Sequence, residues 1–143
     1  MTARSIAEKM GGRRTLARDV KSDLDLADII HGGIPVGAVD EVLASGLLSH
    51  SELYQLVVPR RTLSHRREKQ KTLTPEQSDR LARVVRVVAR AEEALGDPDK
   101  AARWLRMGNR ALNSNLPIDL TGSDIGSRLV ERILTRIEHG VVS

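Results

Sequence analysis

The chain has 143 residues, a net charge of +4, a pI near 10.0, 40% hydrophobic and 1% aromatic residues, and no cysteine. This length allows one domain or two small ones, with a core of Leu, Val, Ile and Ala that favours packed helices over a β fold. The lack of cysteine excludes disulfides and thiolate metal sites, and it makes the cytoplasm the expected compartment. No apolar run approaches the ~20 residues that span a bilayer, so no membrane partner is expected.

The first 44 residues predict a flexible beginning followed by two helices. Residues 1–22 lack a clean hydrophobic period, and Gly11-Gly12 should break any helix, so a flexible N-terminal arm is expected there. A helix is predicted from Ser22 to Ile30, with an apolar side formed by Leu24, Ala27 and Ile30. A second helix is predicted from about Pro35 to Ala44, with Gly46 in the left-handed conformation after it.

Two short helices, over about 49–57 and 59–67, are predicted next. Ser49 and Glu52 form a capping box, in which the Ser oxygen and the Glu carboxylate each accept from a backbone N–H at the helix start. The first helix ends at Val58, because a residue before proline avoids helical backbone angles. Almost no chain separates the two helices, and the second one is basic.

The second half predicts three further helices. Thr74 and Gln77 form another capping box, followed by a long helix that ends at Gly96. A short helix then runs from Asp97 to about Met107 and carries the only tryptophan, before an irregular stretch that ends at Leu120. In the last helix Ile125, Leu129, Ile133 and Ile137 are four apart and predict an inward stripe that Val130 and Leu134 widen and Gly140 closes.

No catalytic or metal chemistry is indicated. The four histidines have no metal-ligand spacing, and the chain has no phosphate-cradling glycine loop, no nucleophile elbow and no HExxH motif. Helix capping explains Asp97 better than a carboxylate pair with Asp99 does. We therefore predict neither an enzyme nor a cofactor.

The strongest charge feature is the run RRTLSHRREKQK over residues 60–71, whose net charge of +5 exceeds that of the whole chain. Clustered cations suit a phosphate backbone, since each neutralised phosphate releases a counterion. The two short helices before and within this run follow helix-turn-helix logic, in which the second helix enters the major groove of double-stranded DNA. Arg60, Arg61, Thr62 and Ser64 are predicted to reach base edges or phosphates, and Arg66, Arg67, Lys69 and Lys71 to contact the backbone. The alternative is a solvated basic segment.

The chain resembles the Xre/MbcA/ParS family of bacterial antitoxins, the partners of RES-domain toxins. The resemblance covers roughly residues 33–143. It is carried by an ordered series of segments: 33–35, 46–49, 60–63, LTPEQSDRLARV at 73–84, AEEALGDPDKAARWL at 91–105, NRAL at 109–112, PIDL at 117–120 and RIEHGVVS at 136–143.

The resemblance implies an all-α fold, with an Xre-like helix-turn-helix domain over 23–72 and a helical toxin-binding domain over 73–143. It also implies homodimers or larger assemblies, repression of the chain's own operon by binding operator DNA, and neutralisation of an NAD-degrading toxin by covering its active site. The antitoxin itself would bind no cofactor. Toxin contacts are implied for Trp104, Leu105, Asn109, Leu112, Pro117, Gly140, Val141, Val142 and Ser143.

Several alternatives stay open. Trp104 is either a core residue or a toxin contact, and Val141 and Val142 either fold back or dock on a partner. Family tails often end in Gly-Val-Tyr, whereas Val142 replaces the aromatic residue here. At the level of function, the alternatives are a helix-turn-helix transcriptional repressor with no toxin partner and a helical adaptor that binds no DNA.

Overall fold

The computed structural model describes residues 2–69 and 71–140, and no β-strand occurs in these ranges. The predicted all-α fold class is confirmed. The α-helices are α1 (Ala3–Lys9), α2 (Gly12–Leu16), α3 (Asp23–Gly32), α4 (Val36–Ala44), α5 (His50–Leu56), α6 (Arg60–Lys69), α7 (Pro75–Leu95), α8 (Pro98–Leu105) and α9 (Asp124–Glu138). Two 3-10 helices, Arg110–Leu112 and Pro117–Leu120, connect α8 to α9.

The long helix α7 lies at the centre of the fold. The predicted capping box is present, with Thr74 accepting from the Gln77 backbone and Gln77 accepting from that of Thr74, and Gly96 ends the helix at a positive φ of 73°. Valines such as Val84, Val85 and Val88 are only moderate helix formers, but they are buried here, and burial outweighs intrinsic propensity. Helix α7 packs against α1, α3, α5, α8 and α9, so it joins the two halves of the molecule.

The N-terminal segment is folded, which corrects the prediction of a flexible arm over residues 1–22. Helices α1 and α2 are joined by a turn in which Gly11 adopts a φ of 101°, so the glycine pair redirects the chain between two helices. Ile6 and Met10 are buried in the core, and Lys9 forms an ion pair with Glu92 of α7. Segment length misled the prediction, because each helix is too short to show a period.

Helix α3 begins as predicted, with the Ser22 hydroxyl accepting from the Asp25 backbone N–H, but the predicted apolar side is wrong for Leu24 and Ala27, which are both exposed. Leu24 is 71% exposed, whereas Ile29 is buried and Leu26 and Ile30 pack against the core. Residues 26, 29 and 30 share one helical face, and that face packs against α7.

Helix α9 also differs from its predicted stripe. Ile133 is buried and Ile137 packs against the core, but Ile125 is 74% exposed and Leu129 is 41% exposed. A four-residue step overshoots a full helical turn by about 40°, so residues 125 and 137 lie about 120° apart around the axis. The buried face instead contains Gly126, Ser127, Val130, Ile133 and Leu134.

Gly126 allows the start of α9 to approach the second 3-10 helix closely. A Cβ atom added at this glycine would lie 2.0 Å from the backbone carbonyl oxygen of Leu120. No side chain fits at that distance, so this glycine fixes where α9 leaves the second 3-10 helix.

Candidate functional site

Helices α5 and α6 form the predicted pair. Ser49 and Glu52 make both hydrogen bonds of the capping box, and α5 ends at Leu56, just before the turn through residues 57–59. The inner sides of the pair are apolar, because Leu53, Leu56 and Leu63 are all buried. Burial of Leu63 fixes the rotation of α6 about its axis and turns Arg60, Arg61 and Ser64 to solvent, while Thr62 is half-buried.

The structure divides the basic side chains of the 60–71 run into two groups. Arg67 donates two hydrogen bonds of 2.9 Å to the Asp40 carboxylate of α4, and these hydrogen bonds raise the pKa of Arg67. Arg66 Nε donates to the Thr72 carbonyl oxygen at 2.9 Å. The Arg67 guanidinium therefore holds α6 against α4, and that of Arg66 holds the end of α6 to the segment that follows it. That these two side chains also contact the DNA backbone stays a prediction.

The remaining cations of the run are Arg60, Arg61, Lys69 and Lys71. All four side chains are exposed, and none forms an ion pair with a described residue. Arg60 and Arg61 lie in the first turn of α6, the part of a recognition helix that meets base edges in helix-turn-helix proteins. The structure thus concentrates the available positive charge at the two ends of α6.

Most of the residues predicted for toxin contact in the 104–117 segment are buried or half-buried beneath the surface. Leu105, Leu112 and Pro117 are buried, and Trp104 is half-buried and packs against the core. The Asn109 side chain accepts from the Ala111 backbone N–H at 3.0 Å and so caps the first 3-10 helix. Leu105, Leu112 and Pro117 therefore lie beneath the surface in this structure, and a direct toxin contact by any of them stays a prediction.

Sequence reasoning missed Arg106, the residue after α8. Its guanidinium donates two hydrogen bonds of 2.9 Å to the Glu52 carboxylate and one of 3.1 Å to the Leu47 carbonyl oxygen. Burial opposes ionisation of Glu52, but the hydrogen bonds from Arg106 and the Ser49 backbone outweigh it and lower the Glu52 pKa. No local pattern signals this pairing, because its partners are 54 residues apart.

The end of the chain is described up to Gly140, which is exposed and has a φ of 74°. The predicted contacts Val141, Val142 and Ser143 lie outside the described residues. Among the described residues, no helix is long and apolar enough to cross a membrane, and no group of three side chains could hold a metal ion.

Two family descriptions match the chain side by side. "Antitoxin Xre-like helix-turn-helix domain" matches residues 25–86, and "Antitoxin Xre/MbcA/ParS C-terminal toxin-binding domain" matches residues 79–140. A curated protein called Antitoxin Xre from Photorhabdus laumondii is 31% identical over 132 residues, covering 91% of this chain and 89% of the relative. The chain belongs to the Xre/MbcA/ParS family of antitoxins.

Two further relatives named Antitoxin Xre agree with this assignment. The protein from Yersinia enterocolitica is 32% identical and covers 82% of this chain and 81% of its own length. The protein from Pseudomonas putida is 30% identical and covers 85% of this chain and 76% of its own length. The antitoxin family's two domains overlap over residues 79–86, within α7, so this helix belongs to both.

Proposed function

We propose that this antitoxin neutralises a RES-domain, NAD-degrading toxin by covering its active site with the C-terminal domain. The observation that carries the proposal is the match of a toxin-binding domain over residues 79–140, next to a helix-turn-helix domain in the same chain. The ordered segments that resemble partners of RES toxins, from Leu73 onward, support this class of toxin. The antitoxin contributes no catalytic group and takes no cofactor, since steric exclusion of the substrate is sufficient.

We further propose that α6 binds the operator of the antitoxin's own operon. Arg60 and Arg61 are exposed at the start of the helix and have no ion-pair partner in the part of the chain that the structure describes, and Ser64 is exposed one turn later. In this arrangement the first turn reaches base edges or phosphates, while Lys69 and Lys71 contact the phosphate backbone. Two-fold symmetric operators require paired half-sites, so DNA binding by a homodimer or a larger assembly with toxin is part of the proposal.

Cell growth and NAD content test the neutralisation. Cells that express the RES-domain protein encoded beside the antitoxin should lose NAD and stop growing, and expression of the antitoxin should restore both. Loss of NAD despite stable antitoxin would overturn the proposal. A transcriptional repressor with no toxin partner would bind DNA and leave NAD content unchanged.

A gel shift with the operator fragment tests the DNA-binding part. The double variant Arg60→Ala with Arg61→Ala should lose operator retention, because it removes two exposed cations that form no ion pair with a described residue. The control is Arg4→Ala with Arg13→Ala, which removes the same charge from exposed arginines of α1 and α2. Retention by both variants would overturn the assignment of α6.

A further inference from the structure

The outer face of α9 is apolar at its beginning and basic towards its end. With about 100° between consecutive residues, Ile125, Leu129, Arg132 and Arg136 fall within a sector of about 60° that faces away from the buried side. We call these four residues the α9 ridge. Ile125 and Leu129 are among the few large hydrophobic side chains that are exposed in the described residues.

The cations of the α9 ridge are not paired with any carboxylate of the described residues. The carboxylates of Glu131 and Glu138 lie on the flank towards α7, where they pair with Arg86 and Arg90 at 2.7 and 2.9 Å. Asp124 pairs with Arg128 at the beginning of α9. Arg132 and Arg136 are exposed and form no ion pair with any residue between positions 2 and 140 that the structure describes.

We propose that the α9 ridge docks on an acidic, partly apolar surface of the toxin, with carboxylates pairing to Arg132 and Arg136 and an apolar depression receiving Ile125 and Leu129. This inference rests on the proposed function and names the chemistry of its contact surface. The α9 ridge lies within the segment that matches the toxin-binding domain. It also holds Ile125 and Leu129, two of the four large hydrophobic side chains that are exposed in the described residues.

The same four residues disfavour DNA and a second copy of the chain as the partner of the α9 ridge. A phosphate backbone would neutralise the arginines but leave Ile125 and Leu129 without an apolar partner. A second copy of the chain, joined by a two-fold axis through the middle of this face, would run antiparallel and place Arg132 and Arg136 against Leu129 and Ile125, so both arginines would stay without a carboxylate. An acidic protein surface satisfies both parts of the ridge, because carboxylates accept bidentate hydrogen bonds from arginine.

Binding of the purified toxin encoded beside the antitoxin tests the proposal by calorimetry at low and high salt. Arg132→Glu with Arg136→Glu should lower affinity about 100-fold or more at low salt, because carboxylates would then face carboxylates. Ile125→Ala with Leu129→Ala should lower affinity about tenfold and keep the salt dependence of the parent chain. Arg4→Glu with Arg13→Glu, which changes charge equally in α1 and α2, should bind like the parent chain.

The outcomes separate the inference from the proposed function. If the parent chain does not bind or neutralise the toxin, the proposed function fails. If the parent chain binds and the charge-reversed variant binds equally well, the α9 ridge is not the contact and this inference fails. The inference is also overturned if the charge-reversed variant loses operator binding in a gel shift or changes molar mass in light scattering, since DNA or a second copy is then the occupant.

Discussion

Arg106 and Glu52 connect the two functional halves through a bidentate ion pair. The guanidinium follows α8, in the toxin-binding half, and the carboxylate lies in the first turn of α5, in the DNA-binding half. Glu52 also accepts from the Ser49 backbone N–H, so one carboxylate both caps α5 and holds the end of α8. The start of the helix pair is therefore fixed by a residue from the other domain.

We expect Arg106→Ala to lower the free energy of unfolding by about 2 kcal/mol, because the variant leaves Glu52 and the Leu47 carbonyl oxygen without their charged donor. Urea unfolding followed by Trp104 fluorescence measures the change. Arg103→Ala is the matched control, since Arg103 lies on the same helix with an exposed side chain, and it should have little effect. Equal effects of the two substitutions would show that the ion pair adds no stability.

The ion pair between Arg106 and Glu52 should also make the free energy of unfolding depend on pH. The Glu52 pKa is lowered from its ordinary value of 4.5 in the folded state, so its contribution is complete above that value. The contribution is then lost as pH falls through the lower folded pKa, because the unfolded chain takes up the proton first. Urea titrations of the parent chain and Glu52→Gln between pH 7 and pH 3 should show a stability difference that shrinks below the ordinary pKa. A difference that does not vary with pH would contradict this account.

The N-terminal helices should contribute to global stability. Met10 is fully buried between α1 and the core, so Met10→Ala should lower the free energy of unfolding by about 3 kcal/mol through lost burial and a residual cavity. Leu24→Ala removes a comparable aliphatic side chain that is mostly exposed, and it should change stability by less than about 0.5 kcal/mol. Thermal unfolding of both variants checks the contrast. If Met10→Ala were as stable as the parent chain, the prediction of a flexible N-terminal arm would be favoured again.

The division of the basic side chains predicts different salt dependences of DNA binding. Arg61→Ala should weaken operator binding and reduce the slope of log affinity against log salt by about 1, as expected for one lost phosphate contact. Arg67→Ala should leave the slope unchanged, because its guanidinium already pairs with Asp40, and should lower stability by up to about 1 kcal/mol. Fluorescence anisotropy at several salt concentrations measures the slopes. A reduced salt slope for Arg67→Ala would show that the Arg67 side chain does contact DNA.

Helix starts and stops could be predicted well because they depend on neighbouring residues. Ser49 with Glu52, Thr74 with Gln77, and Asp97 all cap the helices that their local patterns indicate. Such caps need only a side-chain oxygen within a few residues of a free N–H, and the sequence shows that spacing directly.

Helix faces and long-range pairs could not be predicted in the same way. Leu24 and Ile125 are large aliphatic residues in a plausible helical repeat, which predicts that they are buried. The neighbouring elements pack against a different face of each helix, so both side chains are exposed. No local sequence pattern links Asp40 to Arg67 or Glu52 to Arg106, and only the fold brings these pairs together. The helices that carry the candidate site residues could therefore be predicted from the sequence, while the buried or exposed state of single side chains required the tertiary structure.

The continuity of α7 restricts how members of this family can be recombined. Near its start Arg80 donates to the Val57 carbonyl oxygen in the turn before α6, and one to two turns later Arg86 pairs with Glu131 of α9. Each residue inserted between these points would rotate everything after it by about 100°. A chimaera that takes its DNA-reading half from one relative and its toxin specificity from another must therefore preserve helical phase across the junction, and matching the number of linking residues is not enough.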